Sequence, residues 1–458
     1  MRSHRIDPAI LREYDVRGIA GEQLRADDAH ALGRAFATRV RRAGGHRVAV
    51  GRDGRLTSPA METALVEGLT AGGCDVIRIG LGPTPMLYYA AATLGVDGGV
   101  QVTASHNPAE YNGFKMTLQG RSFFGEDIQD LARLAAAGDW EQGAGDVSDA
   151  DIADAYVARL MQGHEGGAFR IGWDAGSGAA GPIVEKLCQL LPGEHHLLFT
   201  EVDGHFPHHH PDPTVEANLA PLARLVVEKR LDFGLAFDGD GDRIGAVDGR
   251  GRPIWGDEIL AILAESVLAE HPGAPVIGDV KSTQYLFDRI AQLGGRPVMA
   301  KTGHSIIKTR MHELGAPIAG ELSGHIFFGA GWYGFDDAQY AAIRLISAVH
   351  SKGGSLTALK DAMPVLVTTP EMRFAVPRAR MAGVVDEVAA RLEAAGAEVN
   401  RLDGVRVSTP DGWWLLRASN TQDMLTARAE GRDAAAAERL VAAIDRHLSA
   451  SGIVRDAD

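Results

Sequence analysis

The chain has 458 residues and a formal net charge of −14 at pH 7, long enough for several domains and without a basic stripe to hold nucleic acid. Its two cysteines, Cys74 and Cys188, are too few and too far apart for a disulfide framework or a thiolate metal site. The first residues lack the apolar core of a signal peptide and no stretch is long enough to span a membrane, so a soluble cytoplasmic enzyme is expected. An acidic protein can still bind anionic small molecules where a few cations are concentrated at a site.

In chain order, an apolar strand predicted over 48–53 ends in Asp53, and Thr57, Ser58 and Pro59 open a helix running through 71. An apolar run at 98–102 then precedes Ser105, His106, Asn107 and Pro108, which places Ser105 on a loop just after a strand. Pro108 keeps Asn107 out of the helical region. A serine hydroxyl beside a histidine and near Lys115 has the makings of a nucleophile, although adjacent residues of these types also serve turn hydrogen bonding. No G-x-S-x-G elbow is present, which argues against an ordinary esterase. The strand, acid, hydroxyl, helix pattern returns at 171–174 with Gly176, Ser177 and Gly178 and a helix through 191. It returns again at 276–279 with Lys281, Ser282 and Thr283 and a helix through 293. Hydroxyl residues suit helix capping. Three such units argue for three related α/β domains with mainly parallel sheets.

The most informative segment lies between the second and third units. Asp238, Asp240 and Asp242 alternate with Gly239 and Gly241, end in Arg243, and sit between apolar runs at 231–237 and 244–247. On an extended backbone residues two apart share a side, so the three carboxylates converge and need a counter-charge. A hard divalent cation with oxygen ligands is the natural partner. A helix–loop–helix calcium site would need glycine at its sixth position and an acid at its twelfth, where this chain has Arg243 and Gly249. A guanidinium inside an acidic loop suits phosphate, so the reading is a metal that faces a phosphate.

Two other segments attract attention. His205, His208, His209 and His210 could ligate zinc, but the prolines among them read as an irregular connector. Residues 329–334 satisfy G-x-G-x-x-G, yet no acid follows about 20 residues on, and a nicotinamide cofactor is rejected. The C-terminal part differs from the rest. It has a helix over 383–395, strands at 405–408 and 413–416 joined by the turn at 410–412, and an alanine-rich helix over 433–448. That pattern predicts a smaller α+β domain with an antiparallel sheet.

The Ser105 loop, the 238–243 loop, Gly320, Glu321, Leu322, Ser323, Gly324 and His325, and finally Arg417, Ala418, Ser419, Asn420 and Thr421 stand in the order typical of one family. From Tyr14, Asp15, Val16, Arg17 and Gly18 to Thr421 the chain resembles the α-D-phosphohexomutases, in their bacterial phosphomannomutase/phosphoglucomutase group. The resemblance implies four domains around a central cleft: three related mixed or parallel α/β domains at 1–148, 149–250 and 251–364, and an α+β domain at 365–458. It implies interconversion of hexose 1-phosphate and hexose 6-phosphate, of mannose or glucose, through a phosphoserine enzyme and a hexose 1,6-bisphosphate that also serves as activator. Ser105 would carry the phosphate, and Mg²⁺ would be held by Asp238, Asp240, Asp242 and the Ser105 phosphate. Arg243 would steady that phosphate.

Lys115 and His325 are the candidates for moving the hydroxyl proton, with His106 and Arg17 supporting the charge. Glu321 and Ser323 would grip sugar hydroxyls, and Arg417, Ser419, Asn420 and Thr421 the phosphate that is not reacting. Relatives often carry proline soon after that threonine, where this chain has Gln422 and Asp423. Tyr14, Arg17, Lys281, Thr302, Gly303 and His304 would line the cleft, and the C-terminal domain would move as a lid. The implied partners are small-molecule sugar phosphates, with neither nucleic acid nor membrane. Phosphoglucosamine mutase is the nearest alternative, followed by a sugar phosphatase using the same serine and a non-catalytic binder of metal and sugar phosphate.

Overall fold

The computed structural model describes residues 3–419 and 424–455. Four sheets follow one another along the chain. The first is seven-stranded, in the order Val16–Ile19, Tyr111–Leu118, Gly98–Val102, Arg47–Arg52, Asp75–Leu81, Val147–Asp149, with Arg121–Phe123 added beside Tyr111–Leu118. Strand Arg47–Arg52 runs parallel to both its neighbours, whereas Tyr111–Leu118 is antiparallel to Gly98–Val102 and to Val16–Ile19. The second sheet places Phe169–Asp174 and Phe233–Phe237 in parallel, then turns antiparallel through Ile244–Asp248. The third repeats this, with Pro275–Asp279 parallel to Ile318–Gly320, which pairs antiparallel with Ile326–Phe328.

All three sheets are therefore mixed, in keeping with the expected mixed or parallel α/β domains, and in the third two of the three strand pairings are parallel. Each parallel core ends in a hairpin-type return at one side, and the short loops Asp238–Arg243 and Glu321–His325 allow no crossover helix there. Central strands such as Gly98–Val102, Phe233–Phe237 and Ile244–Asp248 are buried along their whole length, as strands covered on both faces must be.

The fourth sheet is antiparallel throughout. Strand Val405–Thr409 pairs with Gly412–Ala418, which pairs with Met424–Gly431, and helices Arg378–Ala394 and Ala434–Ser449 complete the domain. The first of these helices begins five residues earlier than the apolar pattern indicates, because Pro377 at its N-cap sets the start. Asp433 caps the second by accepting from the Ala436 backbone N–H.

The expected hydroxyl caps hold in one unit only. Thr283 caps helix Gln284–Gln292 through the Tyr285 N–H. Ser58 turns its hydroxyl to Asp53 at 2.5 Å, and helix Gly181–Leu190 begins after Ala180, past Ser177. Ser282 likewise donates to the acid at its strand end, Asp279, at 2.6 Å, a charge-assisted bond. Among the described residues no helix is long and apolar enough to cross a membrane.

One large core joins the second and third domains, and it receives Met86, Leu87 and Tyr88 from helix Thr84–Thr93 of the first. The C-terminal domain keeps a core of its own, built on Val388, Trp414, Leu416 and Ile444.

Candidate active site

Every segment singled out in the sequence emerges at or near the carboxyl end of a strand: Ser105 after Gly98–Val102, Asp238 after Phe233–Phe237, Glu321 after Ile318–Gly320, and Ser419 after Gly412–Ala418. Loops at carboxyl ends of α/β sheets are where ligands bind in open sheets of this kind.

The Ser105 loop is held from behind by Arg55, which sequence reasoning missed. Its guanidinium, with a fully buried side chain, donates to the carbonyls of Ser105, Asn107 and Pro108 at 2.6 Å each and to that of Tyr111 at 3.0 Å. Asp53 lies 3.2 Å from its Nε and balances the charge. Buried loop carbonyls need donors, and a five-donor fork supplies several at once. Nothing in the spacing of Gly54 and Arg55 distinguishes this buried arginine from a surface one. Ser105 itself is left-handed at φ +50°, an uncommon conformation for a residue with a side chain, and its N–H is held by the Thr103 hydroxyl at 2.9 Å.

The acidic loop is curled rather than extended, a correction to the alternation argument. Asp238 Oδ1 accepts from the backbone N–H groups of Asp242 and Arg243 at 3.0 and 3.1 Å, and Gly241 sits at φ +71°. The carboxylates still converge, but because the loop wraps around Asp238. Their ligating oxygens lie within 4.8 Å of one another. Gly239 permits the approach to the first domain, since a Cβ there would fall 2.5 Å from the Ser105 carbonyl oxygen. The serine hydroxyl thereby donates to Asp238 Oδ2 at 2.7 Å, with His106 Nδ1 3.1 Å from Ser105 Oγ.

All three aspartates are fully buried. Burial pushes Asp238 well above the ordinary carboxylate range, with the charges of Asp240 and Asp242 adding to it. Burial likewise raises Asp242. For Asp240 the same burial is outweighed by the Lys115 ammonium and the Thr84 hydroxyl, and it stays below the ordinary range. Lys115 Nζ donates to Asp240 Oδ2 at 2.7 Å and to Asp242, and Thr84 Oγ1 reaches the same Asp240 oxygen at 2.5 Å. Burial works against the charged lysine, but these carboxylates hold its pKa far above the usual lysine value. One ammonium cannot balance three carboxylates. Asp240 Oδ1 and Asp242 Oδ1 are buried without a hydrogen-bond partner among the described residues, so an oxygen-coordinated cation fits this donor set. Lys115 lies on strand Tyr111–Leu118 rather than on the serine loop.

Burial, reinforced by Arg243, Arg17 and Lys115, drives His106 well below the ordinary imidazole range. Arg17 donates to Asn107 Oδ1 at 2.6 Å and pairs with Asp15. Arg243 Nε donates to His325 Nε2 at 3.0 Å. Glu321 Oε1 accepts the Gly303 N–H at 2.6 Å, and burial raises this carboxyl. Tyr14 donates to the Thr302 carbonyl at 2.8 Å, and His304 opens helix His304–Leu314 with its ring 5.4 Å from that of His325. Ser323 is half-buried on the Glu321 loop.

Farther out, Lys281 lies 3.4 Å from Glu371, and Arg417 lies 3.1 Å from Asp403, which also accepts the Thr302 N–H at 3.3 Å. Ser419 N–H bonds the Met424 carbonyl at 3.0 Å, while Asn420 and Thr421 lie outside the described residues. The serine, the trio, Lys115, Arg243 and His325 thus form one cluster, and Lys281, Arg417 and Ser419 belong to a separate group of contacts involving the fourth domain. Thr84, Lys308 and Asp336, absent from the sequence reading, also belong to the cluster. Thr84 carried no signal beyond standing between two prolines.

The histidine connector is a brace. His209 Nε2 lies 3.0 Å from Asp174, and the Pro211 carbonyl accepts the Gly239 N–H at 3.2 Å.

Models of four phosphoglucomutase/phosphomannomutase domains match the chain in order: alpha/beta/alpha domain I at 9–142, domain II at 154–251, domain III at 255–366 and the C-terminal domain at 371–447. A phosphomannomutase/phosphoglucomutase of Pseudomonas aeruginosa is 40% identical over 443 residues, 96% of each chain. A phosphoglucomutase of Neisseria gonorrhoeae is 43% identical over 440 residues, covering 94% of this chain and 95% of that one. The crystal structure of a phosphoglucomutase/phosphomannomutase family protein from Burkholderia thailandensis superposes with a TM-score of 0.93 at 41% identity, covering 98% of both chains. With a serine hydroxyl on a buried acidic trio and all four domains matched, the chain belongs to the phosphoglucomutase/phosphomannomutase family of α-D-phosphohexomutases.

Proposed function

We propose that this protein interconverts hexose 1-phosphates and hexose 6-phosphates of mannose and glucose by carrying a phosphoryl group on Ser105. The observation that carries this reading is the 2.7 Å contact of Ser105 Oγ with Asp238, which joins a nucleophile of the first domain to the acid trio of the second. A free sugar hydroxyl attacks the phosphorus on Ser105. The bond from phosphorus to the serine oxygen breaks as the bond to the sugar oxygen forms, giving a hexose 1,6-bisphosphate, and the hydroxyl proton passes to His325 or Lys115. The bisphosphate then turns over, and its other phosphate returns to Ser105 with the proton going back. Such transfer spreads charge over the phosphoryl oxygens, so fixed positive groups do most of the catalysis.

Asp238, Asp240, Asp242 and the Ser105 phosphate would hold Mg²⁺, which when bound neutralises charge on the transferring group. Arg243 and Arg17 steady the reacting phosphate, and His106 holds the serine oxygen. Glu321 and Ser323 take sugar hydroxyls with Thr302, Gly303 and His304. Lys281, Arg417, Ser419, Asn420 and Thr421 hold the distal phosphate, and Tyr14 orders the cleft wall. The C-terminal domain, over 365–458, closes on the other three at 1–148, 149–250 and 251–364. Burial of Ser105, 1% exposed, favours return of the phosphate to sugar over its loss to water, and so a mutase over a phosphatase. A cytoplasmic site of action fits a substrate class of small sugar phosphates.

A coupled assay with mannose, glucose and glucosamine 1-phosphates and a trace of bisphosphate tests the reading. Turnover of mannose and glucose phosphates without release of inorganic phosphate is expected. Activity on the glucosamine compound alone would identify a phosphoglucosamine mutase, and release of phosphate matching substrate loss a phosphatase.

A further inference from the structure

Asp336 lies between strand Ile326–Phe328 and helix Ala338–Ser351, and its side chain is fully buried. Its Oδ1 takes the Lys308 ammonium at 2.8 Å, and its Oδ2 lies 3.0 Å from His325 Nδ1. The latter two atoms meet as a charge contact, and both are buried without a hydrogen bond of good geometry among the described residues. His304 Nδ1 is the remaining neighbour of Oδ2, at 3.7 Å, but it lies 3.3 Å from Lys308, an obligate donor, and so serves as an acceptor.

The protons on the His325 ring follow from what surrounds it. Arg243 Nε is always a donor, and it points at His325 Nε2 at 3.0 Å. Nε2 must therefore present a lone pair. A neutral imidazole has one N–H and one lone pair, so the proton is on Nδ1, facing Asp336 Oδ2, with Asp242 Oδ1 the next acceptor at 3.6 Å. This arrangement also disposes of a second metal site. Asp242, His325 and Asp336 bring their ligand atoms within 4.8 Å of one another, but a protonated Nδ1 cannot coordinate a cation.

We infer that Asp336 is a positioning residue for the phosphoryl transfer: it fixes His325 in the Nδ1–H tautomer, so that the Nε2 lone pair faces the Arg243 side of the acidic loop and can take the sugar hydroxyl proton when Arg243 turns to a phosphate. The Lys308 ammonium, which sits 4.4 Å over the Tyr88 ring, keeps Asp336 ionised and anchors it across the boundary between the first and third domains. Burial opposes that charge, yet Lys308 and the His325 and His304 rings hold the carboxyl well below its ordinary range. The inference rests on the mutase reading above and adds to it a role for a residue that touches neither the serine nor the acid trio's Oδ2 atoms.

The test is D336N in the full-length chain, with 15N-labelled histidine side chains read by two-bond nitrogen–proton correlation and the His325 signals assigned with H325Q. In the parent protein the His325 pattern is that of Nδ1–H. An asparagine amide can donate to Nδ1, so D336N is expected to move the proton to Nε2. It is also expected to lower kcat by about 10²- to 10⁴-fold, the range seen when a carboxylate that orients a catalytic histidine is replaced by an amide. KM stays within about threefold, because no substrate contact is lost.

D336E, with a longer arm to the same nitrogen, restores the Nδ1–H pattern and most of kcat. An unchanged Nδ1–H pattern in D336N overturns the inference. So does a flipped tautomer with full activity when H325Q is inactive. Full activity in H325Q overturns instead the assignment of His325 in the mutase reading. If D336N does not fold, D336E carries the test, and an Nε2–H pattern with full kcat in that variant overturns the inference.

Discussion

The junction between the first and second domains and the junction between the third and fourth are built on opposite plans. At the first, a serine, a lysine and a threonine of one domain bond to the three aspartates of the other, with every one of these groups buried. Apolar side chains from the first domain continue into the large shared core. At the second, the fourth domain keeps its own core and meets the third through a small apolar cluster of Val280, Trp413 and Leu415 and a handful of polar bonds. Arg406 donates to the carbonyls of Val280 at 2.7 Å and Ser282 at 3.0 Å and stacks its guanidinium 3.8 Å over Trp413, while the Gln284 N–H bonds Glu430 at 3.0 Å. In the proposed reaction phosphorus changes partners at the first junction, where charges must be dry and fixed, and the bisphosphate turns over against the second, whose wall must be able to come away.

The sharpest way to break the contrast is at the serine. Ser105→Ala should cut turnover by about 10⁴- to 10⁶-fold, as loss of a nucleophile does elsewhere, and should abolish the single added phosphate in the intact mass of protein purified from cells. Next comes the cation inside the first junction. Lys115→Met strands buried carboxylates, and removing one partner of a buried ion pair costs about 3–5 kcal/mol. Urea unfolding without divalent metal should report that loss, and added Mg²⁺ should recover more stability in the variant than in the parent.

At the second junction, Arg406→Ala should cost about 1.5–3 kcal/mol of interface, the usual worth of hydrogen bonds from a charged donor. Faster hydrogen exchange over 405–431, and a KM raised more than kcat is lowered, would mark a loosened lid; equal changes in the core of the first domain would count against it.

The smallest effect belongs to the brace behind the acidic loop. Burial lowers the His209 pKa, but the hydrogen bond and charge of Asp174 outweigh it and leave the group above its ordinary value. Its contribution is thus full below the unfolded-state pKa, near 6.5, and fades as pH rises through the folded value. His209→Gln should lower the melting temperature more at pH 6 than at pH 8, and an equal loss at both would remove the pair from the account.

Much of the site was legible because its chemistry is local. Three carboxylates, two glycines and an arginine in six residues allow few readings, and Ser105 with His106 after an apolar strand allows few more. The curl of the acidic loop was not legible: alternation predicted the right neighbours for the wrong reason, since backbone N–H groups that bond Asp238 are invisible in a pattern of side chains. Arg55, Thr84, Lys308 and Asp336 were missed together. Arg55 holds a loop carbonyl 50 residues on, Thr84 reaches Asp240 across 156 residues, Lys308 and Asp336 meet across 28, Asp336 and His325 across eleven, and none sits in a motif of its own. The capping expectation failed at Ser58, whose hydroxyl donates to Asp53, five residues back, at 2.5 Å, while Thr57 at the N-cap makes no side-chain cap bond.

What the sequence determined by itself was the inventory: the family, three α/β units with a smaller antiparallel domain behind them, a serine after an apolar strand and a trio of converging acids. The family follows from the resemblance of four motifs in order, and the rest from periodicity and from groups packed so close along the chain that any fold must keep them together. The tertiary structure decided the electrostatics. Which lysine balances the trio, which arginine holds the serine loop, and which carboxylate sets the proton on His325 depend on side chains brought within 3.0 Å across 11 to 133 residues of chain. A charge in a low-dielectric interior is governed by its neighbours in space, and those are fixed only when the domains close on one another.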